Sequence, residues 1–342
     1  MLTTTEPQPI IQAELVYQHR SNPPRRGWIR WLGRASVLVA YALTIILFAS
    51  EVAIALVIKD NRATTTNLVL LFDNLPHLLL VSLTFVMTLH YGLMLQTLTL
   101  SAHSITRERQ ANNWEMLILT GVDARKIVWG KWWATVQRMW RSCGRLALLR
   151  AMLIGWLGAW NNRSYALSMS YYLYGGSPEN MVIPTISHFL LSAFFVVILT
   201  MVNLPFTAAC GMSAFSKHSG EGRARAIAIR LSIGASFGMA MIALNGMLLR
   251  GNAQDFFQPV ILPVVRTLFD NGVSLGADIA GYHVNRLQFN DNSPYWLSIF
   301  CISLLGYALL TYLMLRFAQW QAVRNGALQP LPRKSSKSAY NT

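Results

Sequence analysis

An all-α membrane bundle with six transmembrane helices is the fold this sequence predicts, and three observations predict it. Its 342 residues are 53% hydrophobic and only 13% charged, about half the ~25% charge of a typical soluble domain. The apolar residues gather in runs of about twenty, the length that crosses a hydrocarbon core as a helix. The basic residues gather between alternate runs, which gives the bundle an orientation.

Six runs meet the length requirement, at about 37–58, 78–100, 143–160, 186–212, 231–249 and 295–315. The first contains a single charge, Glu51. The second, fourth, fifth and sixth contain no Asp, Glu, Lys or Arg. The third is the least apolar, because Arg145 and Arg150 interrupt its first half. It belongs in the set because without it the later basic loops fall on opposite sides of the membrane.

Residues 1–36, 101–150, 213–230 and 316–342 hold 23 of the 29 Lys and Arg against 6 Asp or Glu; residues 59–77, 161–185 and 250–294 hold 6 and 7. Such an asymmetry places both termini in the cytoplasm of a multi-pass plasma (inner) membrane protein. It also assigns the net charge of +15 to anionic lipid and not to nucleic acid, since no aromatic-and-basic RNA-binding module is present.

Along the chain, residues 1–24 read as a mobile cytoplasmic tail ending at Asn22-Pro23-Pro24. Residues 25–320 read as one transmembrane domain and residues 321–342 as a disordered cytoplasmic tail. More than thirty mostly polar residues before the first run are unlike a signal peptide. Trp28, Trp31, Leu32 and Ala35 share one helical face, and Arg26, Arg30 and Arg34 share another. That pattern predicts a short amphipathic helix in the headgroup plane, anchored by its tryptophans.

The stretch between the second and third runs is too long and too patterned for a simple connector. Trp129, Trp132, Trp133, Val136 and Trp140 recur at helical spacing opposite Lys131, Arg138, Arg141 and Arg145. This predicts a second interfacial helix running without a break into the third span, with its tryptophans in the membrane belt. Residues 250–294 carry an apolar, proline-broken patch at 256–265, too short to span, which suits partial re-entry or a cap over the outer mouth.

Catalytic machinery is absent from the pattern. The only Gly-Lys pair, Gly130-Lys131, precedes Trp132, so no P-loop exists, and Gly211-Met212-Ser213-Ala214-Phe215 lacks the second glycine of a nucleophile elbow. Cys143, Cys210 and Cys301 have no metal-ligand spacing and pack as small apolar residues. His90 and His188 lack a second ligand at i+3 or i+4, which points to hydrogen bonds within the bundle.

Glu51 is either part of a transport path or a partner for another helix and the outer headgroups, the second being the commoner arrangement. Arg150 and Arg230 are expected to snorkel to the inner face. Gly234 and Gly238 form a small-xxx-small pair suited to close helix approach, either within the bundle or at a dimer seam.

Ser104-Ile105-Thr106-Arg107-Glu108-Arg109, then Trp114-Glu115-Met116-Leu117-Ile118-Leu119-Thr120-Gly121, then Gly130-Lys131 form one ordered pattern. It resembles the cytoplasmic loop after the second span of ABC-transporter permeases of the type-2 exporter class. The match is firm over about thirty residues and, through the order of apolar runs, loosely covers most of the chain.

The resemblance implies an N-terminal elbow helix at 25–35 and a coupling helix that docks in a groove of a separate ATPase. Glu108 and Arg109 match the start of the family pattern. Trp114 stands where the family often has Thr. Glu115, Leu117, Leu119 and Thr120 match its core, and Gly121 replaces a common proline.

It further implies a dimer of membrane subunits, identical or paralogous, with ATP and magnesium bound by the partner ATPase and no cofactor in this chain. A permease-derived scaffold without transport is the alternative. Neither the residues nor the resemblance selects a substrate.

Overall fold

The computed structural model describes residues 9–20, 38, 42, 76–110, 124–173, 186–214, 219–249, 261–280 and 295–327. Among them the chain is helical, with no strand. The helices are α1 (Pro9–Arg20), α2 (Pro76–Gln110), α3 (Ala124–Leu173), α4 (Ile186–Met212), α5 (Ser219–Leu249), α6 (Leu262–Asp270), α7 (Val273–Ala280) and α8 (Tyr295–Ala327).

Four contain stretches long and apolar enough to cross a membrane: Val81–Glu108 in α2, Leu190–Met212 in α4, Gly220–Leu244 in α5 and Trp296–Arg324 in α8. Four such helices fit a membrane protein by length and composition. The first expected span apart from residues 38 and 42, the elbow segment with Trp28 and Trp31, and Glu51 lie outside the described residues.

The expected third span lies inside α3, whose 50 residues extend about 75 Å at the helical rise. That is more than twice the ~30 Å of a hydrocarbon core, so part of α3 must lie beyond any membrane it crosses. Inside apolar helices, hydroxyls need an acceptor close at hand. Thr97 donates to the Leu93 carbonyl at 2.9 Å, Ser101 to Thr97 at 2.8 Å and Thr106 to Ala102 at 2.9 Å, all one turn back along α2. Thr207 and Ser236 do the same in α4 and α5.

Two expectations about the termini need correction. Residues 9–20 are not part of a mobile tail. They form α1, whose Glu14 is buried against cations from other helices. At the other end, residues 321–327 continue α8 instead of beginning a disordered tail. Ala318 and Ala322 are buried on the inner side of that extension, and the Arg324 guanidinium lies over the Trp320 ring at 5.1 Å. An i,i+4 pair and a buried alanine stripe are enough to carry the helix on.

The core falls into two main clusters. One joins Ile105 of α2, Ile127, Val128 and Trp132 of α3, Leu204 of α4 and Leu315 of α8. The other joins Phe195 and Leu199 of α4, Leu268 and Leu275 of the α6–α7 hairpin, and Phe300 and Tyr307 of α8. The second cluster shows where part of the segment at 250–294 goes: the α6–α7 hairpin is inserted among the long helices.

Its turn is Asn271 (φ 57°) and Gly272 (φ 85°). The Asp270 carboxylate accepts from Gly272 N at 3.1 Å and Ser274 N at 3.0 Å, capping α7. A Cβ on Gly272 would stand 2.6 Å from Leu199 Cδ1, and one on Gly276 would stand 2.3 Å from Val196 Cγ2 and 2.9 Å from Ile154 Cγ2.

Gly272→Ala therefore meets both left-handed strain and a clash, and should cost about 1–3 kcal/mol. A lowered unfolding temperature of the detergent-solubilised chain checks this; an unchanged one refutes the inserted hairpin. A Cβ on Gly238 of the small-xxx-small pair would stand 3.2 Å from Phe269 Cε2, so this glycine serves packing within the chain.

Candidate functional site

The pattern of residues 104–131 begins on α2 and closes on α3. Trp114, Glu115, Leu117, Leu119, Thr120 and Gly121 lie outside the described residues, as does the side chain of Arg109. What the structure shows is how the two ends of that segment are held. Ser104, Ile105 and Thr106 are buried, Ser104 against Lys131 of α3, and Ile105 packs in one cluster with Ile127, Val128 and Trp132.

Beyond them, Arg107 and Glu108 meet Lys131 of α3 and Glu14 of α1. Lys131 Nζ donates to Glu14 Oε2 at 2.9 Å and to Glu108 Oε1 at 3.1 Å, with the Ser104 carbonyl at 3.3 Å. Arg107 Nη2 donates to the same two carboxylates, at 2.9 Å to Glu14 and 2.7 Å to Glu108. Two acids and two bases thus share one neutral cluster, with Lys131 4% and Glu14 3% exposed.

Burial makes the cluster interdependent. Glu14 and Lys131 have left water, and opposite charges beside them compensate the loss. The twenty-three-residue path from Glu108 to Lys131 is therefore closed on itself by an ion pair, and α1 seals the junction.

This refines the expectation for Lys131, which was placed with Arg138, Arg141 and Arg145 on the face of an interfacial helix opposite its tryptophans. Helical spacing puts those residues on one side of α3, but α1 and α2 cover that side at Lys131. Trp132 is corrected likewise. It is buried within the protein, and its indole N–H donates to the Pro205 carbonyl of α4 at 2.9 Å. Trp129, Trp133 and Trp140 are exposed.

A second polar centre lies deeper in the bundle. Arg150 of α3, expected to snorkel, is 1% exposed. Its Nη1 donates to Thr200 Oγ1 at 2.8 Å, and its Nη2 lies 3.4 Å from the carbonyls of Asp270 and Asn271. Those carbonyls end α6, and a helix C-terminus attracts a cation. The reason for the correction is geometric: the inserted hairpin brings carbonyl oxygens to the guanidinium, which no longer needs the membrane surface.

The Tyr307 hydroxyl donates to Asn271 Oδ1 at 2.8 Å. Arg230 of α5 donates to Asn203 Oδ1 at 3.2 Å and lies 4.9 Å from the Phe206 ring centroid. It too stays inside the bundle. His90 of α2 is 1% exposed, and neither ring nitrogen has a hydrogen-bond partner among the described residues. Among those residues no group of three or more His, Cys, Asp or Glu is placed to hold a metal.

Replacing Arg150 with leucine removes the donor that holds α6 to α4, and should cost about 2–4 kcal/mol by leaving buried carbonyls and a hydroxyl unpaired. The corresponding fall in unfolding temperature should exceed that of Arg223→Gln, an exposed position on α5. Equal falls would contradict the assigned contacts.

Sequence reasoning missed Glu14, Thr200, Asn203, Asn271 and Tyr307. Each is an ordinary residue in its local window and acquires a role only from partners more than twenty residues away. The one available signal was Arg150, a charge inside an apolar run.

Comparison with protein-family profiles, with curated proteins and with solved structures finds no match to this chain.

Proposed function

We propose that this chain is the membrane-spanning permease subunit of an ATP-driven ABC exporter. In this reading it couples ATP hydrolysis by a separate subunit to substrate movement. The observation that carries the proposal is the ordered pattern from Ser104 to Lys131, in the slot after the second apolar run. The buried cluster of Glu14, Arg107, Glu108 and Lys131 supports it physically.

A segment that transmits force from a soluble motor must not yield at its own ends. Here one end leaves α2 and the other enters α3, and the ionic cluster joins both with α1. A push on residues 111–123 is then delivered to two long helices at once. The motor binds ATP and magnesium, this chain binds neither, and the bilayer and a second permease subunit complete the assembly. Conformational bias between inward- and outward-open states follows the usual population-shift logic.

Photo-crosslinking tests the contact. A photoreactive residue at position 117, in native membranes, should capture an ABC ATPase, and the same residue at exposed position 305 of α8 should not. Capture from neither position, or equally from both, contradicts the docking role of the segment.

A further inference from the structure

Two helices turn aromatic rings and arginines outward at the same end of the bundle. On α8 the exposed face carries Leu297, Leu305, Leu309 and Leu313. Its first charge is Arg316, and beyond it Phe317, Trp320 and Arg324 are exposed. Arg316 stands about 28 Å along the helix from Leu297 at the helical rise, against ~30 Å for a hydrocarbon core. The change of character on this face therefore falls where a core that begins at Leu297 would end.

Both arginines are held by rings. Arg316 Nε donates to the Tyr312 hydroxyl at 2.8 Å, and its guanidinium lies 5.3 Å from that ring's centroid. The Arg324 guanidinium lies 5.1 Å from the Trp320 centroid, and Phe317 stacks on Trp320 with centroids 5.9 Å apart. A guanidinium held in this way keeps its planar fork of donors for a phosphate. Neither arginine is paired with a carboxylate among the described residues, and α8 itself contains no Asp or Glu.

On α3, Trp129, Trp133 and Trp140 are exposed, and Arg141 is exposed beside Trp140. This helix also contains no Asp or Glu. Leu315, Ala318 and Ala322 of α8 share one buried cluster with Ile127, Val128, Trp132 and Val136 of α3. The two outward faces thus belong to one end of the bundle.

Bulk water suits the arginines but not a row of outward tryptophans, and hydrocarbon suits the rings but not the charges. The layer between them, at the headgroups, suits both. Charge then selects the lipid. Two acid-free helices carry a positive excess into that layer, and an anionic headgroup balances it where a zwitterionic one brings no net charge.

We infer that this aromatic and basic belt, centred on Arg316 and Arg324, binds the headgroups of anionic phospholipids. The inference goes beyond the permease proposal and does not rest on it, because it needs a bilayer and no ATPase.

Native mass spectrometry of the full chain in one detergent tests this, with phosphatidylglycerol or phosphatidylcholine titrated in separately and bound lipids counted. We expect wild type to bind phosphatidylglycerol more tightly. Arg316→Gln/Arg324→Gln should weaken that binding about 5–30-fold, since each basic residue near an anionic surface contributes a factor of about five. Phosphatidylcholine binding should not change. Arg316→Lys/Arg324→Lys keeps both charges and should restore most of the affinity. Arg266→Gln removes the same charge from the exposed side of α6 and should alter neither lipid.

Equal binding of the two lipids by wild type overturns the belt, and is the result expected of a face covered by a second copy of the chain. Undiminished phosphatidylglycerol binding in the glutamine variant, or an equal loss in Arg266→Gln, overturns it as well.

Discussion

Replacing Lys131 with methionine is expected to destabilise the protein by about 3–5 kcal/mol, the cost of removing one partner from a buried ion pair. Methionine keeps the length and volume of the stem, so the loss reports charge more than packing. Glu14 and Glu108 then lose the ammonium they share, with Glu14 still buried beside Arg107. Water cannot reach it, and the remaining carboxylates repel each other.

Glu14→Gln removes one of those carboxylates while keeping its shape. The double variant Glu14→Gln/Lys131→Met should therefore be more stable than the sum of the two single losses, with a coupling energy of about 0.5–3 kcal/mol. Thermal unfolding of the four proteins in one detergent measures it. Additive losses would mean that α1 does not hold the junction.

The second large effect concerns Glu115 and Leu117. If the segment between α2 and α3 transmits the state of an ATPase, truncating either side chain to alanine uncouples the motor without disturbing the bundle. Coupling free energies between sites amount to about 1–3 kcal/mol, or 5–150-fold in the coupled quantity. Substrate-stimulated ATP hydrolysis in reconstituted complexes should fall within that range, while unfolding temperature and membrane insertion stay at wild-type values. Undiminished stimulation in both variants refutes the coupling role. The contrast with Lys131→Met is informative, since that substitution should lower both stability and coupling.

These two regions show what a linear reading can and cannot reach. The four apolar helices were legible because twenty uncharged residues in a row have one physical meaning in any context. The unbroken α3 was legible because its tryptophans keep helical spacing through Gly130 to Trp140, just short of the third run.

The ionic cluster was not legible. Glu14 and Lys131 are 117 positions apart, and nothing local distinguishes Glu14 from a solvated acid in a polar tail. Arg150 was seen but misplaced, because the oxygens that receive it come from a turn 120 positions away. That turn can approach only because Gly272 and Gly276 present no side chain to Leu199 and Val196. Local composition identifies what must be buried; it does not identify the partner that makes burial tolerable.

The permease proposal stands or falls on whether the chain has a motor. Mild-detergent purification of the tagged full-length chain from its native membranes, with mass spectrometry of the co-purifying proteins, tests this most directly. A stoichiometric ABC ATPase is predicted, together with its loss when Glu115 and Leu117 are changed. Intact chain recovered without an ABC ATPase across several detergents would contradict the permease reading and favour a membrane scaffold.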